Sequence, residues 1–351
     1  MMRSLSTAVT AWLRLGAAGL LFGLSALPAA ADDGALTLYT TREPGLIKPL
    51  LEGWTQQSGV QVNTVYIKDG MLERLKAEGA NSPADLLMTV DAGNLLDLVE
   101  AGVTQPVDSA TLAQAIPANL RGADNQWFAL SMRARVLYIA KDLPDRTRTL
   151  QYQDLAKPEW HNRICMRSGQ HPYNTALVAA MIAHQGEAKT EQWLRALKAN
   201  LARKPTGGDR DVARDILGGI CDIGIANSYY VGHLKNAKPG SDARQWGEAI
   251  EVIRPTFASG GTHVNISGAA VARHAPNRQA AVQLMEYLVS PEAQQRYARA
   301  NYEYPVRQGV ALDPTIADAI GTITPDPLPL TEIVKHRKQA SLLVDKVGFD
   351  Q

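Results

Sequence analysis

The alternation of strand-like and helix-like patterns limits this chain more than any other feature. Ala35 to Thr41 alternates as a strand does, and beyond the turn Arg42-Glu43-Pro44-Gly45 the apolar residues Leu46, Ile47, Leu50, Leu51 and Trp54 recur at helical spacing. Val60 to Tyr66 alternates again, Met71 to Glu78 reads as a helix closed by Gly79, Ala84 to Thr89 as a strand, and Leu95 to Ala101 as a helix closed by Gly102. Strands separated by helices predict an α/β sheet with right-handed crossovers. Trp127 to Ala140 is strand-like throughout and long enough to pass from one domain into another; Val252-Ile253-Arg254-Pro255 reads as the return passage.

Totals narrow the class. At 351 residues the chain has room for two domains, and 45% hydrophobic with 20% charged residues is ordinary globular composition. A net charge of +1 argues against nucleic acid as the main partner. At the start, Arg3 gives a positive region, Leu15 to Leu27 is apolar, and Ala29-Ala30-Ala31 precedes Asp32-Asp33, the pattern of an export leader cleaved near Ala31. The alternative is a retained anchor, but the apolar run falls short of the ~20 residues that span a bilayer. Export would put the two cysteines, Cys165 and Cys221, in an oxidising compartment, where a disulfide between them is expected; the alternative is two buried thiols.

The chemistry concentrates in Ile223-Gly224-Ile225-Ala226-Asn227-Ser228-Tyr229-Tyr230, a short buried strand running into a polar turn and two tyrosines. Neighbouring side chains on a strand point to opposite faces, so both phenols reach one point only if the strand has already ended. Open α/β sheets place their ligands at such carboxyl ends of strands. A phenol, with a pKa of about 10, is ordinarily neutral; a strongly Lewis-acidic cation is what makes adjacent tyrosinates reasonable. Anionic oxygen is a hard ligand, which makes ferric iron the leading candidate. The alternative is one core tyrosine and one whose hydroxyl reaches water.

Four stretches carry a resemblance. Leu38-Tyr39-Thr40-Thr41-Arg42-Glu43, Pro83 to Gly93, Arg163 through Asn174, and Ile225 to Tyr230 together resemble the ferric-ion-binding branch of the periplasmic solute-binding proteins of ABC importers. The resemblance implies a type II periplasmic-binding fold: two α/β lobes, residues 32–130 with 255–305 and residues 131–254 with 306–351, joined by two crossing strands over a ligand cleft, after a leader of residues 1–31. It implies Tyr229, Tyr230 and Tyr173 as Fe(III) ligands, Tyr173 being otherwise a helix-start aromatic. It implies Arg42, and Arg133 or Arg135, as contacts to a bound anion such as carbonate, unless these arginines are solvated or form salt bridges. Relatives carry histidine where this chain has Glu43, so Glu43 and Tyr39 are the candidates for a further ligand; the alternatives are an exposed loop acid and a core-facing tyrosine. A monomer handing iron to a membrane permease, without turnover, completes the expectation.

Two rivals differ in class. One is a binding protein for an organic cation or an oxyanion, such as thiamine, polyamine or phosphonate, on the same fold. Only four Phe and six Trp are available to wall such a ligand. The other is an exported enzyme, but no Gly-x-Ser-x-Gly, His-Glu-x-x-His or Ser-x-x-Lys arrangement occurs, and His171, His184 and His263 are scattered, as surface or capping residues are.

Overall fold

A computed structural model describes residues 35–143, 150–258 and 260–351. The leader expected over residues 1–31 lies outside the described residues. The strands are β1 (Leu36–Thr40), β2 (Val62–Tyr66), β3 (Leu86–Thr89), β4 (Thr104–Gln105), β5 (Phe128–Ala140), β6 (Ile164–Cys165), β7 (Ile223–Asn227), β8 (Ile250–Ile253), β9 (Val264–Ala272) and β10 (Tyr304–Pro305). They join in the order β2-β1-β3-β9-β5-β7-β6, with β4 on β9, and with β8 and β10 on β5.

The first crossovers are as the sequence predicts. The Pro44–Ser58 helix buries Ile47, Leu50, Leu51 and Trp54, the stripe read from the spacing, and β1 runs parallel to both β2 and β3. Pro44 opens that helix, where its missing N–H costs nothing. Gly59 ends it in the left-handed region at φ 76°, which glycine reaches without a Cβ clash.

β5 organises the rest. Its thirteen residues are buried along nearly their whole length. From Phe128 to Ala134 it pairs antiparallel with β9; from Arg135 onward it pairs with β7, and from Leu137 with β8 as well. The change of partner falls between Ala134 and Arg135. Of the stretch expected to form the return passage, Val252 and Ile253 belong to β8 and pair with Tyr138 and Leu137 of β5, and the chain next pairs with β5 at Val264, opposite Ala134. There the Tyr152 hydroxyl donates to Arg135 O at 2.6 Å and accepts from His263 N at 3.1 Å, while Arg135 N donates to His263 O at 3.0 Å. One phenol thus ties the outgoing strand to the returning chain.

The expected Cys165–Cys221 disulfide is present and joins the end of β6 to the residue two before β7. Helices Leu330–Val334 and Arg337–Val347 of the tail pack on the Pro172–Gln185 helix. Among the described residues no helix is long and apolar enough to cross a membrane.

Candidate metal centre

β7 ends at Asn227, Ser228 already has helical angles (φ −55°, ψ −40°), and the helix Tyr229–Lys235 begins at once. On a helix successive side chains diverge by 100° rather than 180°, so Tyr229 and Tyr230 can face one cavity. Their ring centroids are 4.2 Å apart. Tyr173 arrives from the first turn of the Pro172–Gln185 helix, placed by His171, whose Nδ1 accepts from Tyr173 N at 3.2 Å. Its hydroxyl lies 3.4 Å from that of Tyr229. Three phenols predicted from separate parts of the sequence therefore line one cavity of about 250 Å³.

Positive charge surrounds these rings. The guanidinium carbons of Arg167, Arg133 and Arg135 lie 5.3, 5.5 and 5.9 Å from the centre of the Tyr173 ring, and that of Arg210 lies 5.3 Å from the centre of Tyr230. Burial, reinforced by Tyr173 and Tyr230 nearby, pushes the Tyr229 phenol well above the ordinary value near 10, and burial likewise raises Tyr230. With no cation between them these phenols are protonated. A trivalent cation at their meeting point would reverse that preference. Among the described residues no three His, Cys, Asp or Glu side chains converge as a metal site would require; the cavity's oxygen donors include the phenols of Tyr66, Tyr173, Tyr229 and Tyr230 and the carboxylates of Glu43 and Glu303.

The arginines have different fates. Arg133 lines the cavity, donates to Val90 O and reaches Ser267 Oγ at 3.4 Å; among the described residues no carboxylate pairs with it. Arg42 also lines the cavity, but it is buried against Glu303, with its Nη2 2.9 and 3.1 Å from the two carboxylate oxygens. Burial opposes charge on Glu303, yet Arg42 and Arg133 outweigh it and hold the carboxyl below its usual range. Arg42 therefore arrives with its charge already balanced. Arg135 does not line the cavity. It is fully buried, 2.6 Å from Asp209, and the anion contact expected of it gives way to an internal ion pair.

Glu43 is exposed and lines the cavity. Tyr39 is not brought to the site. Its side chain sits in a small apolar cluster with Ile67, Met71 and Leu75, and its hydroxyl donates to Glu78 at 2.8 Å, since alternation along β1 turns it away from the face that carries Thr40. Two of the three histidines differ from expectation. His171 caps a helix, as anticipated, but His184 is bonded to Asp326 and His263 is fully buried.

Among the cavity residues that the sequence reading missed are Tyr66, Arg210, His233 and Glu303. Tyr66 is the end of β2, paired in register with Thr40 beside the first loop, and is 42% exposed. Its place at the carboxyl end of a parallel strand was a usable signal. So was the spacing of His233, one helical turn beyond Tyr229. Glu303 gave none, because its role depends on Arg42 across 261 residues of sequence.

Comparison with known proteins accords with this geometry. Residues 81–321 match the family described as bacterial extracellular solute-binding protein. Iron uptake protein A2 of Synechocystis sp. (strain ATCC 27184 / PCC 6803 / Kazusa) is 39% identical over 323 residues, 92% of either chain. The solved Bordetella ferric binding protein is 66% identical with a TM-score of 0.87, covering 91% of this chain and all of its own. A Trichodesmium protein solved in complex with iron and citrate ligands is 39% identical with a TM-score of 0.85, covering 90% of this chain and 100% of that one. The expected type II periplasmic-binding architecture is therefore the one this chain has.

Proposed function

The chain belongs to the bacterial extracellular solute-binding proteins, and on that premise we propose that it is a periplasmic carrier of ferric iron for an ABC importer. The observation that carries the reading is the convergence of Tyr173, Tyr229 and Tyr230, with hydroxyls 3.4 Å apart between the first two. Iron is here the cargo, and no turnover is involved. The Bordetella relative, named as a ferric binding protein, and the Trichodesmium relative, solved with iron and citrate, support the same cargo.

In this reading each phenol loses its proton as iron arrives, and three phenolates balance the three charges of Fe(III). Pairing makes burial of the ion tolerable, because an uncompensated buried charge is very costly. Arg133 and Arg210 can offset an added anion, whether carbonate or the citrate that accompanies iron in the Trichodesmium protein. Arg42 contributes less, because Glu303 already answers it. The cavity also offers Glu43 and Tyr66 as further oxygen donors.

The lobes are residues 32–130 with 255–305 and residues 131–254 with 306–351. Iron on the tyrosine-bearing wall draws the other wall in by rotation about the crossing strands, the hinge movement of periplasmic binding proteins. A monomer in that closed state would dock on the permease. A binding protein for an organic cation or oxyanion is the lesser reading, since a cavity with three phenols meeting and few apolar walls suits a hard cation better.

The test is a visible spectrum of the mature protein before and after addition of ferric citrate. A tyrosinate-to-iron charge-transfer band should appear, and should be lost in Tyr229→Phe/Tyr230→Phe. A protein that stays colourless would refute the proposal.

A further inference from the structure

Arg135 holds both tyrosine-bearing segments with one planar group. Its Nη2 donates to Asn174 Oδ1 at 2.5 Å, and Asn174 directly follows Tyr173. Its Nη1 donates to Asn227 Oδ1 at 3.0 Å and to Asp209 Oδ2 at 2.6 Å, and Asn227 lies two residues before Tyr229. Asp209 Oδ2 also accepts from Asn227 N at 2.8 Å, so the carboxylate closes the circuit. Arg135, Asp209, Asn174 and Asn227 are all buried. A guanidinium is rigid and flat, and its two ends bond in fixed directions, which a flexible ammonium cannot imitate.

We infer that Arg135 is a positioning residue for iron: its fork sets the separation between the Tyr173 oxygen and the Tyr229–Tyr230 pair without itself touching the metal. The inference rests on the tyrosinate reading above. Its geometry points to a second consequence. Arg135 is also the first residue of β5 beyond the change of partner, and its backbone is bonded to His263 and to Tyr152 at the crossing. The spacing of the donors is thereby referred to the crossing strand and not to either surface loop.

Asp209 makes a second, longer link between the segments, its Oδ1 lying 3.5 Å from Arg167 Nη1 of the Tyr173 loop, so the Arg135 fork is the shorter of the two ties. Asn174 Nδ2 bonds only its own loop, at Arg167 O and Ser168 O, and Asp209 reaches the Asn227 side through its backbone. Removing the fork leaves the segments held by that longer contact and by the Tyr173–Tyr229 hydroxyl contact, so their spacing loosens while each stays locally bonded.

The experiment is a double-mutant cycle on the mature protein with iron supplied as ferric citrate. Arg135→Lys keeps a charge opposite Asp209 but loses the fork. It should release iron to a competing chelator about tenfold faster, the scale for losing an outer partner of a metal site, and should shift the charge-transfer maximum. Both effects should vanish in a Tyr173→Phe background, where nothing is left to position. Asn174→Ala, which removes only the link to the Tyr173 segment, should behave in the same way and serves if Arg135→Lys fails to fold. A release rate that changes equally with and without Tyr173, or that does not change, would overturn the positioning role while leaving tyrosinate binding intact. Wild-type protein with no ferric-induced band would overturn both.

Discussion

Ser228 and Ala134 exchange two hydrogen bonds. Ser228 N donates to Ala134 O at 2.9 Å, and Ala134 N donates to Ser228 Oγ at 3.1 Å. The residue in front of the tyrosine pair is in this way fastened to the crossing strand one position before its partner changes. Ser228→Ala would leave the buried Ala134 N–H without an acceptor, which costs about 1–3 kcal/mol. Urea unfolding should register that loss; an unchanged midpoint would show that the hydroxyl is dispensable.

Loss of phenols should tell more than loss of their supports. Tyr229→Phe or Tyr173→Phe removes a donor while keeping the ring, so folding is retained and iron affinity falls by more than the ~10–100-fold typical of outer-shell changes. Isothermal or spectroscopic titration with ferric citrate measures it. Affinity within twofold of wild type would remove that residue from the ligand set.

Iron binding should weaken as pH falls. Burial keeps the Tyr229 and Tyr230 phenols protonated through the neutral range, so binding must expel their protons. With each proton expelled, the logarithm of the affinity drops by about one for every pH unit lowered. A competition titration from pH 8 to pH 6, corrected for protonation of the chelator, should give a slope of two or more. A flat profile would mean that the phenols stay neutral in the complex.

His263 should make stability acid-sensitive. Burial, aided by Arg135, lowers its pKa to about 3, and among the described residues neither ring nitrogen has a hydrogen-bond partner. The unfolded chain, with an ordinary pKa near 6.5, binds the proton first. The stabilisation is therefore complete above about pH 6.5 and drains away toward pH 3, at a limiting slope of about 1.4 kcal/mol per unit. Replacement by Leu should flatten urea-derived stability across that window; an equally steep loss in His263→Leu would assign it elsewhere.

Glu303→Ala should be among the more damaging single changes at the cavity. It leaves the buried Arg42 without its counter-charge, a situation that typically costs about 3–5 kcal/mol. Thermal melting should show a large drop, and Glu303→Gln a smaller one. A melting temperature like that of wild type would mean that Arg42 relaxes into water.

What could be read from the sequence was what local chemistry decides. The Tyr229–Tyr230 pair was legible because a strand cannot aim neighbours at one point, and a helix start can. The stripe from Ile47 to Trp54 was legible because periodicity alone settles which face is buried. Arg133 and Arg135 show the limit. Two positions apart on one strand, they share a face and both approach the Tyr173 ring, yet one lines the cavity and the other is consumed by Asp209, 74 residues away. Nothing in Arg-Ala-Arg distinguishes them. The change of strand partner between Ala134 and Arg135 does, and it is a property of the assembled sheet.

The abrupt junction of β7 with its helix also governs which changes of length the chain can absorb. One residue inserted between Asn227 and Tyr229 would turn each phenol by about 100° about the helix axis and carry it off the cavity. Three or four would restore the phase but lift the pair by about 5 Å, beyond the reach of Tyr173. This junction can accept exchanged side chains far more readily than added or deleted ones, so its spacing is as much a part of the site as the tyrosines are.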